Sequence, residues 1–288
     1  MNEIQQTRRV LAHVQRAHGL AFSLSGRAAS GLQGGAWMVA DIDGRPAVLK
    51  WSPELGPERI GQLERTVARM RAAGYPTPAW LAAGVTAEGI GYYVQEFAPG
   101  EPSSPLTPEK TDLLVAVLER QTGLLPNDAV DCNSAVKWMA TGDSAERSAL
   151  REMDTPGVDL LHRYDMLLAG FDRVELPAGD MVHGDFNSCN ILLRGGRVSA
   201  VIDIEAVGGG TRAIDYACLL REAYVEDYGS EVIARIRAGG AAAAGRGALA
   251  LCAAATAFWI VPFKLRHEPH RIEEILARLH QMAADLSA

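Results

Sequence analysis

MVHGDFNSCNILLRGGRVSAVIDIEAV, residues 181–207, is the stretch on which the reading of this 288-residue chain turns. It sets Asp185, Asn190 and Asp203 among short β-prone runs and turns. Asp185 and Asn190 are five residues apart, and thirteen more lead to Asp203. Between the last two lies a hairpin pattern: Ile-Leu-Leu, Arg-Gly-Gly-Arg at 194–197, then VSAVID. Two glycines between apolar runs favour a two-residue turn, and the return strand brings Asn190 and Asp203 to the same end of the hairpin. An amide oxygen and a carboxylate converging there are hard donors suited to Mg²⁺. A carboxylate just upstream is placed to accept a proton from a substrate hydroxyl. Positioning, metal charge and a base are what phosphoryl transfer requires. Asx residues also cap turns, so Asp185 and Asn190 taken singly read as turn residues too. The order His-Gly-Asp-x4-Asn, followed by a strand and an aspartate, singles them out.

Upstream, Lys50 closes the apolar run Ala-Val-Leu-Lys. The chain uses 4 lysines against 24 arginines, and Lys50 is the one lysine before residue 102. A lysine at a strand end binds nucleotide phosphates as a point charge. Glu64 follows fourteen residues later on an amphipathic stretch, where an ion pair would orient that lysine. Read separately, the two are a surface lysine and a helix-face glutamate. Ser30-Gly31-Leu32-Gln33-Gly34-Gly35 lies between two β-prone runs. Glycines let backbone N–H groups approach a phosphate closely, which makes Ser30, Gly31 and Gly34 candidates. No Gly-Lys-Ser/Thr follows, and an ordinary hairpin loop has the same composition. Gly208-Gly209-Gly210-Thr211-Arg212-Ala213 formally fits GxGxxA, a dinucleotide-binding fingerprint, but lacks the following strand with an acidic end that such a site needs.

Residues 3–18 read as a helix, 21–29 and 36–42 as extended, and Asp43-Gly44 as a hairpin turn. An amphipathic helix over 57–73 opens at Pro57 and cannot pass Pro76 and Pro78. Strands over 79–84 and 90–97 flank Glu88-Gly89. Ala-Pro-Gly-Glu-Pro at 98–102 breaks regular structure and marks a boundary. Beyond it, 107–124, 134–153 and 157–174 read as helices, 180–204 as β-rich, and 212–285 as helical. The fold class is α+β, with a small β-rich lobe over 1–98 and a larger, mostly helical lobe over 99–288.

A formal net charge of −7 argues against a general nucleic-acid binder. The charge is uneven: residues 1–101 carry +1 and residues 102–288 carry −8. The near-neutral part suits an anionic ligand and the acidic part a cationic one, although solvated helix faces give the same count. MNEIQQTRRV has no apolar run after its charges, so no signal peptide is expected. Gly247 to Phe263, the longest apolar run, is short and alanine-rich and contains Pro262; it reads as a core helix, and no membrane partner is expected. Cys132, Cys189, Cys218 and Cys252 form no CxxC pair, which suits reduced thiols in a cytoplasmic protein. HExxH and GxSxG are absent.

Together, His183-Gly184-Asp185, Asn190 and Ile202-Asp203 resemble the signature of the aminoglycoside phosphotransferase family, whose relatives include choline and homoserine kinases. The resemblance runs over most of the chain. It implies a two-lobed protein-kinase-like fold, with ATP as donor and Mg²⁺ as cofactor. By the same resemblance Asp185 is the catalytic base, and Asn190 and Asp203 are the Mg²⁺ ligands. Lys50 matches the ATP-phosphate lysine and Glu64 its partner, thirteen residues before Thr77-Pro78. Gln95-Glu96-Phe97-Ala98 resembles the hinge, where the Glu96 carbonyl and the Ala98 amide meet adenine. Asp215 resembles a buried aspartate that braces the catalytic loop, and His183 a side chain packed beneath it. Ile204-Glu205 replaces the aromatic or glycine often found after the metal aspartate, which removes no ligand.

For the acceptor, the acidic second lobe favours a polycation, with Asp154, Asp159, Glu205, Glu222, Glu226 and Asp227 as candidate contacts. Aminoglycosides are the expected acceptors, and cationic cyclic peptides of the viomycin and capreomycin type the alternative. The arginine-rich, alanine-rich composition suits a GC-rich genome and a role in antibiotic resistance. A metabolic kinase for homoserine, choline or a sugar, and a kinase-like module that binds without turnover, are the competing readings. Nothing in the sequence fixes an oligomeric state.

Overall fold

The computed structural model describes residues 2–28, 35–124 and 129–287. Ser30, Gly31 and Gly34 lie outside the described residues. The chain divides into two units. Residues 1–100 with 199–202 form the first, and residues 101–198 with 203–288 the second.

The first unit opens with α1 (Glu3–His18). Asn2 caps it by accepting from the Gln5 N–H, and Gly19 closes it at φ 71°, a left-handed position that a side chain would strain. An antiparallel sheet follows, built from β1 (Phe22–Arg27), β2 (Ala36–Asp41), β3 (Pro46–Ser52), β4 (Trp80–Val85) and β5 (Gly91–Glu96) in the order β1-β2-β3-β5-β4. Alternation assigns the faces. Trp37, Val39, Ala47, Leu49, Tyr92 and Val94 form a buried cluster with Val10, Leu11 and Val14 of α1. The register then fixes Lys50, which pairs with Ala36 on β2 and Tyr93 on β5. α2 (Pro57–Ala72) starts at a proline and packs on β4 and β5.

The second unit is mostly helical: α3 (Pro108–Glu119), α4 (Cys132–Thr141), α5 (Ala145–Arg151), α6 (Thr155–Ala169), α7 (Ala213–Val225), α8 (Ser230–Ala244), α9 (Arg246–His267) and α10 (Ile272–Ser287), with a 3₁₀ turn at Pro269–Arg271. The helix expected over 134–153 is broken. Gly142 is extended and ends α4, and the Ser144 hydroxyl accepts from the Arg147 N–H to start α5. α9 is long and apolar enough to cross a membrane by length and composition, and 72% of its most apolar window is buried in the chain. It packs against α4, α5, α6, α7, α8 and α10, as the core-helix reading expected.

Short strands β6 (Glu101–Pro102), β7 (Asp180–Val182), β8 (Ile191–Arg194), β9 (Arg197–Val201) and β10 (Gly208–Gly210) complete the chain. Gly195 and Gly196 join β8 to β9 with φ of 58° and 73°, the positive pair a two-residue hairpin turn needs. The Gly208–Gly210 cluster is not a dinucleotide-binding turn. It is a buried strand, antiparallel to β7. A Cβ on Gly208 would collide with Cys132 and the Val130 carbonyl, and one on Gly210 with Asn133. These glycines answer to packing, not to a phosphate.

Candidate active site

The site is built on the turn between β7 and β8. Two buried backbone donors at its start need acceptors, and Asp215, near the start of α7, supplies both. Its Oδ2 accepts the His183 N–H at 2.6 Å and its Oδ1 the Gly184 N–H at 2.9 Å. Asp215 is fully buried. Burial pushes its carboxyl above the usual range, against the pull of His183 and of these N–H groups. Gly184 sits at φ 84° with Ala206 close behind, which is why the motif has glycine here. The His183 ring is buried under the loop, edge-on to Phe186, and its Nδ1 accepts the Asp185 N–H at 3.3 Å.

This backbone presents Asp185, which is half-buried. Two amides hold its carboxylate, one on each oxygen. Asn187 Nδ2 donates to Oδ1 at 3.0 Å and Asn190 Nδ2 donates to Oδ2 at 3.1 Å. Asn190 Nδ2 also donates to the Asp185 carbonyl at 2.9 Å. Asn187 in turn accepts the Cys189 and Asn190 N–H groups on its own Oδ1. It is a residue the sequence reading passed over. Its one signal was an Asx two positions after the key aspartate, the spacing of an Asx turn. The Asn190 NH₂ is committed to Asp185, and its amide oxygen is a hard donor of the kind a divalent cation takes. Asp203 has φ 64°. Non-glycine residues in that region are strained and gather at functional sites. The donor set of Asn190 and Asp203 fits Mg²⁺.

In the first unit, Lys50 lies on β3, half-buried, and Glu64 is exposed on α2. No ion pair joins them among the described residues. Glu96 ends β5; its N–H donates to the Ala79 carbonyl at 2.9 Å, and its exposed carboxylate accepts from the Ala79 N–H. Ala98 follows the strand, half-buried.

The carboxylates expected to meet the acceptor part company. Glu222 on α7 accepts from both the N–H and the hydroxyl of Ser188 in the catalytic loop. Glu226 is paired with Arg271 at 3.2 Å and Lys264 at 3.4 Å, and Asp227 with Arg278 at 2.6 Å. Asp154 and Asp159 are exposed, just before and on α6, and Glu205, two residues after Asp203 in the chain, is half-buried.

The model of the phosphotransferase enzyme family matches residues 27–252. The chain belongs to that family. This phosphotransferase, whose acceptors are hydroxyl groups, shares its kinase-like fold with solved structures of aminoglycoside phosphotransferases. One is a thermostable mutant of aminoglycoside phosphotransferase APH(4)-Ia in its apo form, at 15% identity and a TM-score of 0.65, covering 96% of this chain and 98% of that one. A ternary complex of a related thermostable mutant, with ADP and hygromycin B, matches at 13% identity and a TM-score of 0.63, with the same coverage. The aminoglycoside phosphotransferase of Alicyclobacillus acidocaldarius matches at 19% identity and a TM-score of 0.64, covering 91% of each chain. A comparison with curated proteins finds no match.

Proposed function

We propose that the chain is an ATP- and Mg²⁺-dependent O-phosphotransferase that modifies a hydroxyl of a cationic antibiotic, an aminoglycoside or a tuberactinomycin-type cyclic peptide such as viomycin or capreomycin. The observation that carries the chemistry is the Asp185 carboxylate, fixed by one amide on each oxygen and standing on a loop whose first two N–H groups are anchored to Asp215. Support for the acceptor class comes from the relative bound to ADP and hygromycin B and from the −8 net charge of residues 102–288.

Asp185 does the proton work. Each of its oxygens keeps a lone pair after accepting an amide, so the carboxylate can receive a substrate hydroxyl without turning. The hydroxyl oxygen attacks the γ-phosphorus, its proton passes to Asp185, and the bond to the bridging oxygen breaks to release ADP. Lys50 places a compact positive charge for the phosphate chain. Asn190 and Asp203 would hold Mg²⁺, which would supply positive charge to the transferring group. ATP as donor and four free cysteines suit the cytoplasm.

A second reading has an observation of its own. Glu222, Glu226 and Asp227 are already bound to groups of the protein, which reduces the carboxylate left for a polycation and favours a small metabolite such as homoserine, choline or a sugar. A coupled ADP-release assay with ATP and Mg²⁺ separates the two, run on aminoglycosides, viomycin, capreomycin, choline and homoserine. Turnover on a cationic antibiotic, lost in Asp185→Ala, supports the first reading. Turnover confined to a small metabolite replaces it with the second.

A further inference from the structure

Ser188 stands in the middle of the catalytic loop, three residues after Asp185 and two before Asn190, and it is fully buried. All its polar atoms are held from outside the loop. Its N–H donates to Glu222 Oε2 at 2.9 Å, and its hydroxyl donates to Glu222 Oε1 in a short hydrogen bond. Its carbonyl accepts the Ser103 N–H at 3.0 Å and the Ser103 hydroxyl at 2.9 Å. Tyr228 reinforces the acceptor side, donating to Glu222 Oε1 at 3.1 Å while lying 3.1 Å from the Ser104 hydroxyl. Three separate segments therefore converge on one loop residue: 103–104 before α3, Glu222 on α7, and Tyr228 after it.

We infer that Glu222 is a positioning residue that fixes the places of Asp185 and Asn190 by clamping Ser188, and is not a contact to the acceptor. This rests on the reading of Asp185 as the base. A carboxylate suits the task because it accepts both donors of one residue at once, one on each oxygen, and charge-assisted bonds hold position better than neutral ones. Its burial, which pushes the carboxyl upward against the pull of Ser188, agrees with a group turned inward. Loss of the clamp frees the loop between base and metal ligand. A displacement near 1 Å at such a centre costs roughly 10²-fold in rate.

The test is steady-state kinetics of Glu222→Ala, Glu222→Gln, Ser188→Ala and the Glu222→Ala/Ser188→Ala double variant, with hydrogen exchange over residues 186–190. We expect kcat to fall roughly 10²-fold in Glu222→Ala with KM for the acceptor and for ATP held within about threefold. Glu222→Gln, which keeps one acceptor oxygen, should recover part of the rate. The double variant should be no slower than Glu222→Ala alone, since the bond that Ser188→Ala removes is one that Glu222→Ala has already broken. Exchange at residues 186–190 should quicken in Glu222→Ala while the melting transition of the remainder persists. A raised acceptor KM with kcat unchanged would make Glu222 an acceptor contact and overturn the inference, as would unchanged exchange in a folded variant. If Glu222→Ala does not fold, Glu222→Gln and Ser188→Ala carry the same readings. A wild-type chain that transfers phosphate to no acceptor and hydrolyses no ATP counts against the proposed function instead, and the exchange measurement still decides the clamp.

Discussion

The catalytic loop of the second unit and the Lys50 strand of the first are held in place by different means. Lys50 owes its position to a ladder. β3 lies between β2 and β5, and the register with Ala36 and Tyr93 sets where the residue falls. The loop at 183–190 has no such ladder. It is fixed by side chains reaching in from α7 and from the segment before α3: Asp215 on two N–H groups, Glu222 on Ser188, Ser103 on the Ser188 carbonyl. A strand tolerates side-chain change because its backbone bonds carry the geometry. A wired loop is lost one side chain at a time. Precision is therefore cheap to encode in the first unit and dispersed across distant residues in the second.

The contrast predicts a ranked set of effects. The largest is Asp185→Ala: turnover should fall roughly 10²–10⁴-fold, the worth of a general base, with thermal unfolding unchanged in midpoint. Retention of near-normal turnover would falsify its role as base. Next comes Lys50→Ala, for which a loss on the order of 10²-fold in ATP-dependent transfer is expected from removing one charge-stabilising donor. Glu64→Gln should change the rate by less than about threefold, because an exposed carboxylate with no ion pair to Lys50 holds it only weakly. Equal losses in the two would show that nucleotide draws them together, and would make the first unit as wired as the second.

Asp215→Asn removes one of two acceptors from a fully buried site, and should cost about 1–3 kcal/mol in denaturant unfolding. The pH dependence has a definite sign. Burial raises the Asp215 carboxyl above its unfolded value, so its stabilising share is complete below the unfolded carboxylate pKa, near 4, and is lost as pH rises through the raised folded value. The deficit of Asp215→Asn relative to wild type should therefore shrink as pH increases across that window. Urea titrations at several pH values would detect a deficit that grows instead. The smallest effect belongs to Arg278→Ala, which breaks a partly exposed pair with Asp227 and should cost at most about 1 kcal/mol by thermal melt.

Much of this arrangement was legible in the sequence where partners are close along the chain. The turn at Asp43-Gly44, the Gly195-Gly196 hairpin, the proline-opened α2 and the short spacing from Asp185 to Asn190 are all local patterns, and each occurs in the structure. What sequence reading missed is separated in sequence. Glu222 lies 34 residues from Ser188, Ser103 lies 85 from it, and Lys264 lies 38 from Glu226. No periodicity joins such pairs, so a carboxylate clamping a loop and a carboxylate facing solvent look alike until the fold is known. The second unit's negative charge is subject to the same limit, since a net charge counts ions without their partners, and Glu226 and Asp227 are paired with Arg271 and Arg278. The single helix expected over 134–153 overlooked Gly142, whose extended backbone outweighs the helical propensity of its flanks.

The buried strand Gly208–Gly210 bears on heredity. Any single-base change in a glycine codon that alters the residue installs a side chain, and at Gly208 and Gly210 even a methyl group strikes neighbouring atoms, some of them backbone. Those codons are closed to point mutation by packing alone. A gene under pressure to broaden its reach will leave them alone and vary elsewhere, at exposed positions such as Asp154 and Asp159. Collections of functional variants should show Gly208 and Gly210 unchanged while Asp154 and Asp159 vary.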